Sequence, residues 1–140
     1  GRTKHHINVF GEELMVENTD AAVAKTCKEF NCEIVDYTVA PIFMTNQQKG
    51  AHEWIIEFKT KPNSIENFRK ALDENLQSVN SDYEAKRYNN MTLNPLVLNI
   101  ARENLFYDWL KQEDKLGGQH KVPRLSNERT YLENLLKLQL

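Results

Sequence analysis

Two rhythms of apolar residues run along this chain. From Glu53 to Lys59, Trp54, Ile56 and Phe58 alternate with Glu53, Ile55, Glu57 and Lys59. A period of two places neighbours on opposite faces, so the stretch predicts a strand with one buried and one mixed face. After Lys61-Pro62-Asn63 the rhythm changes. Ile65, Phe68, Leu72, Leu76, Val79 and Tyr83 recur at three- and four-residue steps, which is one face of a long helix. Ser64 is placed to cap it. The helix runs on through Tyr83 or breaks near Asn80-Ser81, and Asn89-Asn90 ends it.

The same rules order the rest of the chain. Ile7 to Phe10 predicts a short strand broken by Gly11, and Glu12 to Val16 a turn or a short helical piece. Asn18 or Thr19 can cap a helix whose face is Val23, Cys27 and Phe30, with Asn31 as its stop. Glu33 to Phe43 is β-prone. Val35, Tyr37 and Val39 share a face there, and Pro41 marks an edge or an end. Asn46 to Gly50 is a polar hairpin loop. Leu96, Leu98 and Ile100 form a fourth strand. Leu105, Phe106, Trp109 and Leu110 give a third helix closed by Gly117, and Ser126 caps a last helix with Leu132, Leu135 and Leu136. The order is β-α-β-β-α-β with a C-terminal helical extension. That is an α+β, ferredoxin-like arrangement, expected as a four-stranded antiparallel sheet with helices on one face. Residues 1–140 read as one domain.

Composition narrows the function classes. Charged residues are 27 % of the chain, hydrophobic ones 40 %, and net charge is −2, which excludes a general nucleic-acid or membrane-surface binder. No apolar run approaches the roughly 20 residues of a membrane helix. Gly1-Arg2-Thr3-Lys4-His5-His6 leads into no hydrophobic region, so no signal peptide is read and a cytoplasmic location is expected. Cys27 and Cys32 are the two cysteines, five apart, which supports neither a disulfide framework nor a zinc site.

Candidate chemistry is sparse. An RNA-recognition module shares the element order. Its third strand would carry cations and stacking aromatics, where this chain has Glu53 and Glu57. His5-His6 beside Glu12-Glu13 does not make a metal centre, because adjacent residues on a strand point to opposite faces. Glu12-Glu13 reads as a solvated loop pair, with acid/base work as the minor alternative. The most distinctive stretch is Gly117-Gly118-Gln119-His120-Lys121-Val122-Pro123-Arg124. Adjacent glycines let successive N–H groups face one concavity, and Pro123 stiffens the exit. Lys121 and Arg124 then offer a point charge and a fork-shaped charge to a phosphate or carboxylate. By spacing alone, the glycines equally well cap a helix before a solvated loop.

Two stretches together carry a family resemblance. Gly1 to Leu14 resembles the hinge and first strand of the C-terminal domain of an adenylate-forming enzyme, and Gly117 to Arg124 resembles the lysine loop near that domain's end. His52-Glu53-Trp54 and Asn80-Ser81-Asp82-Tyr83-Glu84-Ala85-Lys86-Arg87 resemble one branch in particular. That branch is the acyl-acid amido synthetases, known from plants as the auxin-responsive Gretchen Hagen-three proteins, and bacterial members are the more similar. The resemblance implies a C-terminal lid domain whose own N-terminal adenylation domain is its partner. ATP and Mg²⁺ would serve the full-length parent, which would activate an acyl acid as its adenylate and pass it to an amino acid. It implies that Lys121 is the catalytic cation and that Arg2, Lys4, Gln119 and Arg124 are nucleotide-binding, with Gly117 and Gly118 forming the loop. No metal ligands are implied within this chain. A non-catalytic ferredoxin-like module binding a small ligand or a protein is the competing expectation.

Overall fold

The structure is a computed structural model that describes residues 6–90, 92–115 and 122–139. Its strands are β1 (His6–Ile7), β2 (Leu14–Met15), β3 (Glu33–Ile42), β4 (Ala51–Thr60) and β5 (Val97–Ile100). Its helices are α1 (Val16–Phe30), α2 (Ile65–Val79), α3 (Ser81–Arg87), α4 (Leu105–Lys115) and α5 (Thr130–Gln139). The α+β class and the C-terminal helical extension are those expected, and the expected β-α-β-β-α-β order is extended by the short β2 before α1 and by α3 after α2.

The sheet departs from the expected four-stranded antiparallel one in its strand number, in the direction of β5 and in the covering of its faces. Among the described residues it has three strands in the order β3-β4-β5, and β1 pairs only with β2. β3 and β4 form an antiparallel hairpin with Val39 opposite Trp54. β5 lies directly against β4, parallel, with Trp54 opposite Leu98 and Ile56 opposite Ile100. The expected first strand does not enter because its backbone donors are used locally. The Gly11 amide donates to the Asn8 carbonyl at 3.0 Å, and the Phe10 amide donates to Glu12 Oε1 at 2.9 Å. Gly11 sits at φ 86, a conformation that a glycine adopts without strain. A turn therefore replaces a ladder. Ile7, Phe10 and Leu14, all buried, are the parts of this segment that reach the core.

Both faces of the sheet are covered, where helices on one face were expected. Val39, Trp54, Ile56 and Phe58 pack with Ala22 and Val23 of α1 and with Phe68, Leu72 and Leu76 of α2. The alternate residues Ala40 and Ile55 pack with Leu105, Phe106 and Trp109 of α4 and with Leu132 and Leu135 of α5. Ile55 is the signal: a fully buried isoleucine on the mixed face needs a second layer. The C-terminal extension supplies it, and among the described residues neither face of the sheet is left open.

Helix ends follow the local chemistry. Ser64 Oγ accepts from the Asn67 amide at 3.1 Å and starts α2. Asn80 is extended and accepts from the Tyr83 amide at 2.7 Å, so the helix breaks there and α3 begins. Asn31, at φ 51, closes α1. At the start of α1, Asn18 lies inside the first turn and its Oδ1 accepts from the Met15 amide, 2.9 Å away. Ser126 accepts from the Glu128 amide, but the last helix begins only at Thr130. Val35 is corrected too. A bulge between Ile34 and Asp36 turns it outward, 52 % exposed, while Ile34, Tyr37 and Val39 face the core.

Asp73 of α2 is a buried hub. Its carboxylate accepts from Arg87 Nε at 2.9 Å, Gln77 Nε2 at 2.8 Å, the Leu96 amide at 2.9 Å and the Tyr83 hydroxyl at 3.2 Å. It therefore ties α2 to α3 and to the entry of β5. Asp73→Ala removes an acceptor that four donors share and leaves Arg87, nearly buried itself, without that carboxylate. The expected loss is about 3–5 kcal/mol of unfolding free energy, read from urea denaturation. A loss below about 1 kcal/mol would show that the hub contributes little.

Candidate functional site

The glycine-rich stretch is held between two well-built feet. Its first foot is α4, whose N-terminus is capped from the sheet. Glu57, buried on β4, accepts from the Asn104 amide at 2.7 Å and from the Phe106 amide at 3.1 Å. A carboxylate there satisfies orphan donors and complements the helix dipole. The second foot is Val122 to Ser126. Val122 is buried, and the Pro123 carbonyl accepts from Thr38 Oγ1 at 2.6 Å. The Val39 amide donates to the Arg124 carbonyl at 2.8 Å, and the Ser126 amide donates to the Val39 carbonyl at 3.2 Å. Leu125 thereby bridges Val39 in parallel and covers the outer edge of β3.

Arg124 locks this foot sideways. Its Nη1 lies 2.8 Å from Asp20 Oδ1 on α1, and its Nε lies 3.3 Å from Asp36 Oδ1 on β3. The guanidinium carbon stands 4.9 Å from the centre of the Tyr37 ring. Burial works against this charge, but Asp36, Tyr37 and Asp20 outweigh it and raise the guanidinium's pKa. Tyr37 donates its hydroxyl to Asp20 Oδ1 at 2.5 Å. Burial, and then the bond to Asp20, pushes that phenol well above its usual range. Between Arg124, Tyr37 and α1 runs a cleft of about 310 Å³, with Val23 and Ile34 among its apolar walls and Cys27 and Cys32 at its far end. Both thiols are free. Burial and the neighbouring Cys32 push the Cys27 thiol up to about 12, so the pair behaves as packing rather than as a nucleophile.

The segment after His6 meets the residue that follows the second foot. The Asn8 amide donates to Asn127 Oδ1 at 3.0 Å. Further on, Glu12 is fully buried, which corrects its reading as a solvated loop carboxylate. His52 Nε2 of β4 lies 2.6 Å from Glu12 Oε2, and both side chains are inaccessible. The His52 ring stacks on Tyr83 at 5.2 Å. Asn80 Nδ2 donates to the Glu13 carbonyl at 2.8 Å, so this segment is pinned from α3 as well. Local sequence gave no sign of the Glu12–His52 pair, whose members lie 40 residues apart.

Of the residues expected at the site, Arg2, Lys4, Gly117, Gly118, Gln119 and Lys121 lie outside the described residues. Arg124 lies within them and is engaged as above. Among the described residues no cluster of three or more His, Cys, Asp or Glu could hold a metal ion. No described helix is long and apolar enough to cross a membrane.

Fold and site together define a small, double-faced α+β domain in which the segment from Val122 to Ser126 runs along the edge of its sheet. Residues 17–130 match the GH3 family C-terminal domain. The chain belongs to that family. In structure it is similar to a GH3.15 acyl acid amido synthetase, with a TM-score of 0.73 and 17 % identity over 99 % of this chain and 25 % of that one. It is likewise similar to AtGH3.15 acyl acid amido synthetase in complex with 2,4-DB, with a TM-score of 0.72 and 18 % identity over 100 % of this chain and 26 % of that one. The chain thus spans about a quarter of the length of these solved relatives. A search of curated proteins returned no match.

The raised thiol and phenol pKa values set an alkaline limit. Both groups are neutral acids whose folded pKa lies above the unfolded one, so their contribution is complete below the unfolded value. It is lost as pH rises towards the folded value. For Cys27 that window runs from 9.0 to about 12. The melting temperature should hold to about pH 9 and then fall, and Cys27→Ala should flatten part of the fall. An unchanged slope in that variant would assign the alkaline sensitivity to Cys32, Tyr37 and Tyr83, whose pKa values burial also raises.

Proposed function

We propose that this domain is the C-terminal lid of an ATP-dependent acyl-acid amido synthetase. The match of residues 17–130 to the GH3 family C-terminal domain carries the reading. In the proposed reaction an acyl carboxylate attacks the α-phosphorus of ATP and pyrophosphate leaves. An amine, an amino acid on this reading, then attacks the acyl carbon and AMP leaves. The N-terminal part of the parent would hold most of the ATP, Mg²⁺ and acyl pocket, and this domain would close over it.

Within the chain, Lys121 is the proposed cation for charge building on the transferred phosphate. A preorganised ammonium there stabilises the transition state more than the ground state. Gln119, Arg2 and Lys4 are proposed to flank the same nucleotide. The hydrogen bond between Asn8 and Asn127 supports a shared site, because it joins the segment after the hinge to the segment after the loop. The anchored feet on β3 and at α4 support it too, since a loop serves as a donor only from a fixed base.

A pyrophosphate-release screen of the full-length parent against acids and amino acids tests the activity. Release that depends on one acid, with an amide product and AMP, is the expected outcome. Phosphate and ADP instead would overturn the adenylate route. In the same parent, Lys121→Ala should lower acyl-adenylate formation by roughly 10²- to 10³-fold. ATP affinity and melting temperature should barely change, because the charge is proposed to act on the transition state rather than on the ground state. Lys121→Arg should rescue only in part, since a planar fork does not replace a compact ammonium. Wild-type adenylation in the alanine variant would remove Lys121 from the mechanism.

A further inference from the structure

We propose that Arg124 is a positioning residue that clamps the exit of the glycine-rich stretch to the body of the domain, and that it is not a ligand of the nucleotide phosphates. This rests on the reading of the domain as an adenylation lid. It departs from the simplest expectation for an arginine three residues after Lys121.

Geometry and charge both support it. The guanidinium bridges two carboxylates on different elements, Asp20 of α1 at 2.8 Å and Asp36 of β3 at 3.3 Å. Tyr37 lies beneath it, and that ring is itself fixed by its hydroxyl, which donates to Asp20 and also shares a hydrogen bond with Thr19 Oγ1. Two carboxylates against one guanidinium leave the cluster net negative. A polyphosphate approaching Arg124 would have to displace both carboxylates and then remain beside them, and like charges at such a distance repel. The backbone around Arg124 is committed as well. Its own carbonyl accepts from the Val39 amide, the preceding carbonyl accepts from Thr38, and Ser126 donates back to Val39. Side chain and main chain therefore hold one short segment from three directions, towards α1, towards β3 and along the sheet edge. Asp36 is the useful partner for a test, because it shares the clamp and has the wrong charge to bind phosphate.

The experiment compares Arg124→Gln, Arg124→Lys, Asp36→Asn and the Arg124→Gln/Asp36→Asn double variant in the full-length parent. Hydrogen–deuterium exchange over Val122 to Ser126 reads the clamp, and calorimetric titration with ATP and Mg²⁺ reads the nucleotide. Melting temperature is the control for global unfolding. A clamp gives exchange faster by roughly five- to tenfold in both single variants, and the double variant adds little beyond either. Arg124→Lys should not rescue it, because one ammonium cannot span two carboxylates in place of a fork. ATP affinity should stay within about twofold, or fall equally in Asp36→Asn, which cannot touch phosphate. Unchanged exchange in Arg124→Gln overturns the proposal. So does an ATP affinity that weakens tenfold or more in Arg124→Gln, recovers in Arg124→Lys and is untouched in Asp36→Asn. If the parent binds no ATP, the lid reading fails, while the exchange comparison still decides whether Arg124 is the clamp.

Discussion

Strand β4 is buried on both faces, and its acidic and imidazole side chains find partners inside the protein, while His52 Nδ1 and Trp54 Nε1 have none among the described residues. Each partner turns out to belong to a different element. His52 pairs with Glu12 of the hinge-side segment. Glu53 accepts from Arg129 at the entry of α5 and from Asn99 of β5, both at 2.9 Å. Glu57 caps α4. Because successive residues on a strand alternate in direction, one strand delivers these groups to both layers of helix. The apolar residues between them, Trp54, Ile55 and Ile56, supply the burial that makes an unpaired polar group costly. Packing and polar placement are therefore one constraint in this fold.

What was legible in the sequence was local. The period-two alternation of β4, the long apolar face of α2, the Ser64 cap and the Asn31 stop all follow from residues within a few positions of each other. What was hidden was non-local or depended on a single irregularity. The bulge at Val35 reverses which residues face the core, and no propensity marks it. Glu12 sits beside a glycine and another glutamate, a pattern that ordinarily reads as solvated, and only His52 arriving from across the fold buries it. The second helical layer was foreshadowed by Ile55, yet a lone isoleucine among Glu53 and Glu57 is as readily a mixed, solvated face. Of the candidate site, only Arg124 and the loop's two feet fall within the described residues. Arg124's partners lie 104 and 88 residues away, so spacing could suggest a charge but not what already neutralises it.

The residues that carried the family resemblance divide in the same way. His52, Glu53 and Trp54 lie on the strand that ties the layers together. Asn80 caps α3, Tyr83 stacks on His52 of β4, and Arg87 pairs with the buried Asp73 of α2. These are framework roles. A motif can therefore mark a family by the way its fold is held together, while saying little about where the chemistry happens. Family membership and site assignment need separate support for that reason. The match over residues 17–130 supplies the first.

On the proposed reading, the framework also explains how a lid can be both mobile and accurate. A domain that swings as a unit must place its donor to within a fraction of an ångström at the end of the swing. Motion is tolerable at the hinge only if the path from hinge to donor is stiff. Here that path is short and cross-braced. The hinge-side segment is pinned by Glu12 to β4 and by Glu13 to α3, and its Asn8 meets Asn127, the residue that follows the loop's second foot. That foot is clamped in turn to β3 and α1 through Thr38, Val39, Asp36 and Asp20. Rigid bracing of this kind removes the entropy that a free loop would otherwise lose on each closure.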